Sequence, residues 1–302
     1  MLCQALTRKG KSCPYKAKKG IACNIRAHIT QCQSRVEQKL PISIEEKKDQ
    51  VNNLEELCQH FLSNLKGIKL EKKSKHDGEL GHQVEKIFGV KPNSSMKSDL
   101  SWLELKTCGK RGDKTTLWDK NPSWIYGKED KLSNKDFNTK FCHWFGTPKK
   151  EKGGRWSWSG TVSPQYYENW SWAGQKITLD KEENVIIIYC YEKDARPFKD
   201  EVIPEELKNK ATCIARWDKR DLENHLAQKY SASVALITHK EEKIEECRIN
   251  SRPLLYSDFL NNFRSKLIFF DSGRKEGEAR NYSSFRGKKE FWLAFCSKKL
   301  LQ

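Results

Sequence analysis

HDGELGHQVEKIFGVKPNSSMKSDLSWLELKT, residues 76–107, decides how the rest of the chain is read. Its second half carries Asp99, Glu104 and Lys106 in the order D-x4-E-x-K. WLELKT alternates as a strand does, so Glu104 and Lys106, two apart, leave the same face. Asp99 has the opposite parity. It joins them only if a tight turn or bulge near Ser98–Ser101 re-aims it, or if it ends a preceding strand. Two carboxylates within a few ångströms repel unless a cation lies between them, and oxygen-only ligation of this kind suits Mg²⁺. A lysine beside them can orient or help deprotonate an attacking water and offset charge building on a phosphoryl oxygen. The chemistry this implies is phosphodiester hydrolysis.

The pattern alone arises by chance in lysine-rich chains, and its surroundings give it weight. Upstream, Gly81, Val84, Ile87 and Phe88 have helical spacing, and the helix they predict carries Glu85 toward the same region. A helix with an inward acid, a polar loop and a strand bearing Glu and Lys resembles the PD-(D/E)xK nucleases. More narrowly, HDGELGHQVEKIFGVKPN, the later WLELKT and TTLWDKNPS (115–123) resemble the MvaI/BcnI restriction endonucleases, relatives of the mismatch-repair nickase MutH. LIFFDSGRKEGEARNYSSFR (267–286) resembles that family's DNA-reading segment. The resemblance covers roughly residues 71–302, in patches at both ends.

The resemblance implies an α/β (α+β) fold, a restriction-endonuclease-like core with a mixed sheet and catalytic and DNA-recognition lobes. Asp99 and Glu104 would ligate Mg²⁺, Lys106 would serve the nucleophile, and Glu85 would be an auxiliary acid. It further implies a monomer on double-stranded DNA that reads a short, nearly palindromic target and cuts one strand at a time. A cognate DNA methyltransferase would belong to the same system. The segment after the late strand would enter the major groove, with Arg274, Arg280, Asn281, Tyr282 and Arg286 as reading residues. Arginine presents two parallel donors that match guanine O6 and N7, so G·C pairs are expected in the site. Where the family tends to have Arg-Asn-His-Gly, this chain has Arg280-Asn281-Tyr282-Ser283, so a different or more relaxed target is expected.

Charge points the same way. The formal net charge is +17 and charged residues make up 32% of the 302. Lysine and arginine spread along the whole chain fit a polyanion better than a small substrate. No run of ~18 apolar residues and no signal-like N-terminus is present, so a soluble, cytoplasmic protein is expected. Eleven cysteines in such a setting argue against a disulfide framework. Seven are scattered singly, and most of these read as buried thiols. The other four crowd residues 1–32, too polar a stretch for a core of its own, in the pattern C-x9-C-x9-C-x4-H-x3-C. Cys3, Cys13, Cys23 and His28, or Cys32 in place of His28, would hold a structural Zn²⁺. The phrase resembles small zinc knuckles, although four residues rather than two separate Cys23 from His28.

Taken in order, 1–35 is the expected zinc knuckle and 36–70 a helical linker, with a helix read from Ile44 to Leu65 that either links the knuckle to the nuclease body or packs on that body. Residues 71–302 form the nuclease domain, catalytic to about 190 and DNA-recognising beyond. Lys110 and Arg111, in the loop after the acid–acid–lysine strand, are candidate phosphate contacts, and His82 a candidate DNA contact. RWSWSG and ENWSWAG read as hairpin strands with one aromatic face. ENVIIIYCY (183–191), SVALITH (233–239), KLIFFD (266–271) and EFWLAFC (290–296) read as strands, the first central because it is apolar on both faces. DKRDLENHLAQKY (218–230) and LLYSDFLNNFR (254–264) read as helices.

The expected function is therefore a Mg²⁺-dependent, sequence-specific DNA endonuclease of the restriction type. A MutH-like nickase keeps the fold with another job, and a non-catalytic zinc-containing DNA-binding protein makes the acid–acid–lysine strand coincidental. The N-terminal pattern yields its own expectation. Atomic absorption on stripped and reconstituted protein should find about one zinc per chain. A fragment starting near residue 36 should lose the metal and still cut DNA. Zinc retained by that fragment would place the site elsewhere.

Overall fold

A computed structural model describes residues 51–71, 78–90, 98–109, 114–129, 131–231, 233–250 and 252–300, all within the unit Val51–Gln302. Cys3, Cys13, Cys23, His28 and Cys32, with Lys110 and Arg111, lie outside the described residues. The first element is α1 (Leu54–Asn64), opened by Asn53, whose side chain accepts the Glu56 N–H. It points Leu57 and Phe61 inward, with Leu65 just beyond its end. Of the 36–70 stretch, residues 51–70 are described, and there the helix packs on the body. Next come α2 (Glu79–Ile87) and the acid–acid–lysine strand β1 (Leu103–Cys108).

Beyond β1 follow β2 (Lys114–Asp119), β3 (Trp124–Ile125) and α3 (Asn134–Phe145), which Ser133 caps through the Asp136 N–H. Then come β4 (Thr147–Lys149), β5 (Arg155–Ser159), β6 (Ala173–Leu179), β7 (Val185–Asp194) and the short α4 (Lys199–Val202). The last third runs β8 (Thr212–Trp217), α5 (Lys219–Lys229), β9 (Ser233–Lys240), β10 (Lys243–Asn250) and α6 (Tyr256–Arg264). It closes with β11 (Ile268–Lys275), β12 (Ser283–Lys288), α7 (Lys289–Phe295) and β13 (Lys298–Lys299).

These strands form sheets in the orders β1-β9-β10-β13, β2-β12-β11-β5-β4 and β3-β8-β7-β6. β7, read as central from its apolar faces, lies between β6 and β8. β1 and β9 run parallel, whereas the other paired strands are antiparallel. A parallel pair needs a long crossover, and here that crossover contains the whole of the third sheet with β2, β4 and β5 of the second, and ends in α5. The sheet bearing β1 therefore takes its other strands, β9, β10 and β13, from residues 233–299.

The first sheet separates two cores. Leu103 and Leu105 of β1, with Ala235 and Ile237 of β9, pack on α1 and α2 through Phe61, Val84 and Phe88. On the other face Val234 and Leu236 join a larger core rich in rings, including Trp118, Trp158, Trp217, Trp292, Phe270 and Phe285. Because side chains alternate along a strand, Glu104 and Lys106 are turned to the large-core side. Each fully buried ring contributes roughly 2–3 kcal/mol by area, so this face carries much of the burial energy.

Two strand readings are corrected. EFWLAFC is the helix α7, because Phe291, Trp292 and Phe295 fall at helical spacing and are buried together, with Phe291 and Phe295 stacked at 5.9 Å. The rings suggested a strand, and their spacing decided for a helix. RWSWSG is the strand β5, but Trp170 and Trp172 of ENWSWAG precede β6 and stay 40% and 39% exposed.

Candidate active site

A two-residue turn brings the three residues of the pattern together. Leu100 and Leu103 exchange both backbone hydrogen bonds, at 2.9 and 3.2 Å, across Ser101 and Trp102. The turn is pinned by the Trp102 indole N–H, which donates to the Val51 carbonyl at 2.8 Å. In that register Asp99 stands opposite Glu104, which is how a residue of the wrong parity reaches the site. Asp99 Oδ2 accepts the Leu105 N–H at 2.9 Å, and the Asp99 N–H is 3.3 Å from Glu104 Oε2.

Glu104 is only 1% exposed and still charged, because it is doubly paired. Its Oε1 receives Lys106 Nζ at 2.7 Å and Lys229 Nζ, from the last turn of α5, at 3.0 Å. Burial alone would raise its proton affinity. At an effective dielectric of ~20, however, one charge pair at 4 Å is worth roughly 4 kcal/mol. Two ammonium groups outweigh the burial, and the Glu104 carboxyl is held below its ordinary range. Lys106 lies against the rings of Tyr230 and Trp292, its Nζ 5.6 and 6.0 Å from their centres. Burial there would lower its affinity for a proton, but Glu104 reverses the sign and Lys106 is a firm ammonium.

The two other acids lack that compensation. Asp99 is pushed up first by burial and then by the Glu104 charge. Glu85, on α2, is pushed up by burial and then by Asp99. Both therefore have an unmet demand for positive charge. Among the described residues no three His, Cys, Asp or Glu side chains converge closely enough to hold a metal by themselves. Mg²⁺ does not require that, since one or two carboxylates with waters and substrate phosphate suffice. The all-oxygen donor set of Asp99 and Glu104, with Glu85 nearby, fits that ion in kind.

Glu85 and Lys106 line a cleft of about 690 Å³ together with His82, Lys114, His239 and Arg286. His82 is exposed on α2. Arg286 pairs with Asp271 at 2.7 Å and, of the five reading candidates, is the one that lines this cleft with Glu85 and Lys106, whereas Asp99 and Glu104 are not among its lining residues. The loop 276–282 between β11 and β12 holds Arg280, Asn281 and Tyr282. Arg280 is exposed and lies over the Tyr282 ring at 4.6 Å, and Asn281 and Tyr282 are half-buried.

Arg274 is corrected. It is 1% exposed, packed on the rings of Phe137 and Phe141, and donates to Asn138 Oδ1 at 2.6 Å. Burial lowers its affinity for a proton, to a pKa of about 10. A guanidinium so enclosed holds the loop's stem and does not read a base. Asn138 Nδ2 in turn donates to the Glu278 carbonyl at 2.5 Å, and Thr139 Oγ1 accepts the Gly277 N–H at 3.1 Å. Glu276 takes the Trp156 N–H at 2.9 Å and pairs with His143 at 3.0 Å. Strand alternation beginning at Ile268 already turned Arg274 inward, a signal available in the sequence.

Sequence reading also missed Lys229, Tyr230 and Asn138. Lys229 falls seven residues after Leu222 and three after Leu226, on the buried face of α5, where an apolar residue is expected. A lysine on that face was the available signal. Tyr230 follows it, fully buried, its hydroxyl donating to the Leu117 carbonyl at 2.6 Å.

Three likenesses accompany this geometry. A family model described as LlaMI restriction endonuclease matches residues 64–298. The type II restriction enzyme ScrFI of Lactococcus lactis subsp. cremoris is 30% identical over 274 residues, covering 80% of this chain and 96% of that protein. In fold, the chain is similar to restriction endonuclease MvaI in its complex with cognate DNA substrate. The TM-score is 0.59 at 17% identity, over 86% of this chain and all of that one.

The uncompensated acids yield a pH expectation for the cation-free protein. Asp99 binds its proton more tightly folded than unfolded, so its ionisation weakens the fold as pH rises from its unfolded value through its raised folded one. Asp99→Asn keeps an acceptor for the Leu105 N–H and removes the charge. Its melting temperature relative to wild type should rise as pH goes from about 4 to 8. A difference that is flat or falls with pH would remove the electrostatic account.

Proposed function

The chain belongs to the LlaMI family of type II restriction endonucleases, and on that premise we propose that it hydrolyses DNA with Mg²⁺ at Asp99 and Glu104. Site-specific cleavage of DNA is the activity of the family. What supports the residue assignment is one observation: a two-residue turn sets Asp99 against Glu104 and beside the Lys106 ammonium.

Bound Mg²⁺ would withdraw charge from the phosphoryl group and make a coordinated water acidic. Asp99 and Glu104 would hold it, with Glu85 as the auxiliary acid. Lys106, a firm ammonium, is suited to orient the attacking water and offset charge on the phosphoryl oxygen rather than to remove a proton. Lys114 and Arg286 in the cleft, with His82 at its rim and Lys110 and Arg111 nearby in sequence, would contact the sugar–phosphate backbone. Arg280, Asn281 and Tyr282 on the clamped loop would read bases in the major groove, the enzyme acting as a monomer.

Incubating purified protein with plasmid and Mg²⁺ tests this. Discrete fragments are expected; nicked circles alone would indicate a nickase, and uncut plasmid would sink the proposal. Glu104→Gln and Lys106→Ala should each cut slower by several orders of magnitude while still binding DNA, since each such contribution amounts to roughly 3 kcal/mol or more. Wild-type cutting by either variant would remove the assignment.

Arg280 gives a second check, by binding titration on two duplexes. Arg280→Ala should lose about 1–3 kcal/mol on the cognate duplex and much less on random sequence. Equal losses on both, with a shallower salt dependence, would make it a phosphate contact instead.

A further inference from the structure

Lys229 lies outside the D-x4-E-x-K pattern, and its Nζ is 3.0 Å from the Glu104 oxygen that also holds Lys106 at 2.7 Å. Two ammonium groups thus share one carboxylate oxygen, and two like charges are brought together there. Such an arrangement is stable only while Glu104 is ionised and nothing else competes for it. Lys229 is not there by accident of a mobile side chain. Leu222, His225 and Leu226 bury the same face of α5, and the Lys229 side chain is only 18% exposed. Tyr230, next in the chain, is locked by its hydroxyl to Leu117.

A divalent cation approaching this site without DNA meets a carboxylate oxygen already taken by two positive charges. Resting on the active-site reading above, we propose that Lys229 is a positioning residue that holds Glu104 in the cation's stead and so couples cation binding to DNA binding. An entering phosphodiester offers the ammonium groups a new anion. Glu104 is thereby released to a divalent ion, which then binds where the substrate already is. By reciprocity, a cation bound first must favour DNA by the same factor. Lys106, fixed on the same strand, already neutralises the Glu104 charge, and Lys229 adds from another element the second positive charge that an entering cation has to displace.

The test is Mn²⁺ binding to the full-length, DNA-free protein, followed by electron paramagnetic resonance. Lys229→Met keeps an unbranched apolar stem, one atom shorter, and removes the charge, and Glu104 retains Lys106 as a partner. It should bind Mn²⁺ about tenfold or more tightly than wild type, as loss of one neighbouring positive charge requires. Lys229→Arg should stay within about twofold of wild type, since the charge is kept. Glu104→Gln should lose the site. Lys229→Met binding no more tightly than wild type, while Glu104→Gln loses the ion, would overturn the role of Lys229 and leave the active-site reading intact. Lys229→Arg binding as tightly as Lys229→Met would also overturn it, because charge would not be the agent. Unchanged binding in Glu104→Gln would overturn both.

Discussion

Burying Glu104 is the constraint on which the rest of the site depends. A carboxylate at 1% exposure survives ionised only with charge partners at hydrogen-bond distance, and both partners come from defined places in the fold. Lys106 follows from strand alternation two residues on, whereas Lys229 requires α5 to end where it does. The parallel pairing of β1 with β9 fixes that ending, since the helix runs directly into β9. The local chemistry of one oxygen is therefore tied to the topology of the first sheet.

The same sheet explains why the acids differ. Leu103 and Leu105 anchor β1 to the smaller core, and that anchoring leaves Glu104 and Lys106 no choice of face. Asp99 arrives by a turn and not by alternation, so it has a backbone N–H for a partner but no ammonium within a direct ion pair among the described residues. Glu85 comes from a helix on the opposite side. Three acids carried by a strand, a turn and a helix are thus held in three different electrostatic settings, one relieved and two strained.

Much of this was legible in the chain, and the remainder was not for identifiable reasons. Alternation in WLELKT gave the common face of Glu104 and Lys106, and parity stated the condition Asp99 had to meet. The turn that meets it joins Ser101 and Trp102, which carry no Gly, Asn or Asp signal for a hairpin. Lys229 was illegible as a partner because it is 125 residues from Glu104 in sequence, even though its helical phase was visible. Arg274 failed differently. Its charge suggested a surface, while its strand phase, Asn138 and the rings of α3 placed it inside. In EFWLAFC aromatic content argued for a strand, and a helix won because only that spacing buries Phe291, Trp292 and Phe295 together.

The loop between β11 and β12 divides into a stem fastened by Asn138, Thr139 and Glu276 and a tip whose exposed Arg280 rests on Tyr282. Fastening by main-chain atoms and a buried guanidinium is indifferent to which side chains the tip displays. Innovation at the tip is thereby uncoupled from the integrity of the scaffold. New side chains at 279 and 280, the two exposed positions of the tip, can therefore come and go while every one of those anchors stays in place.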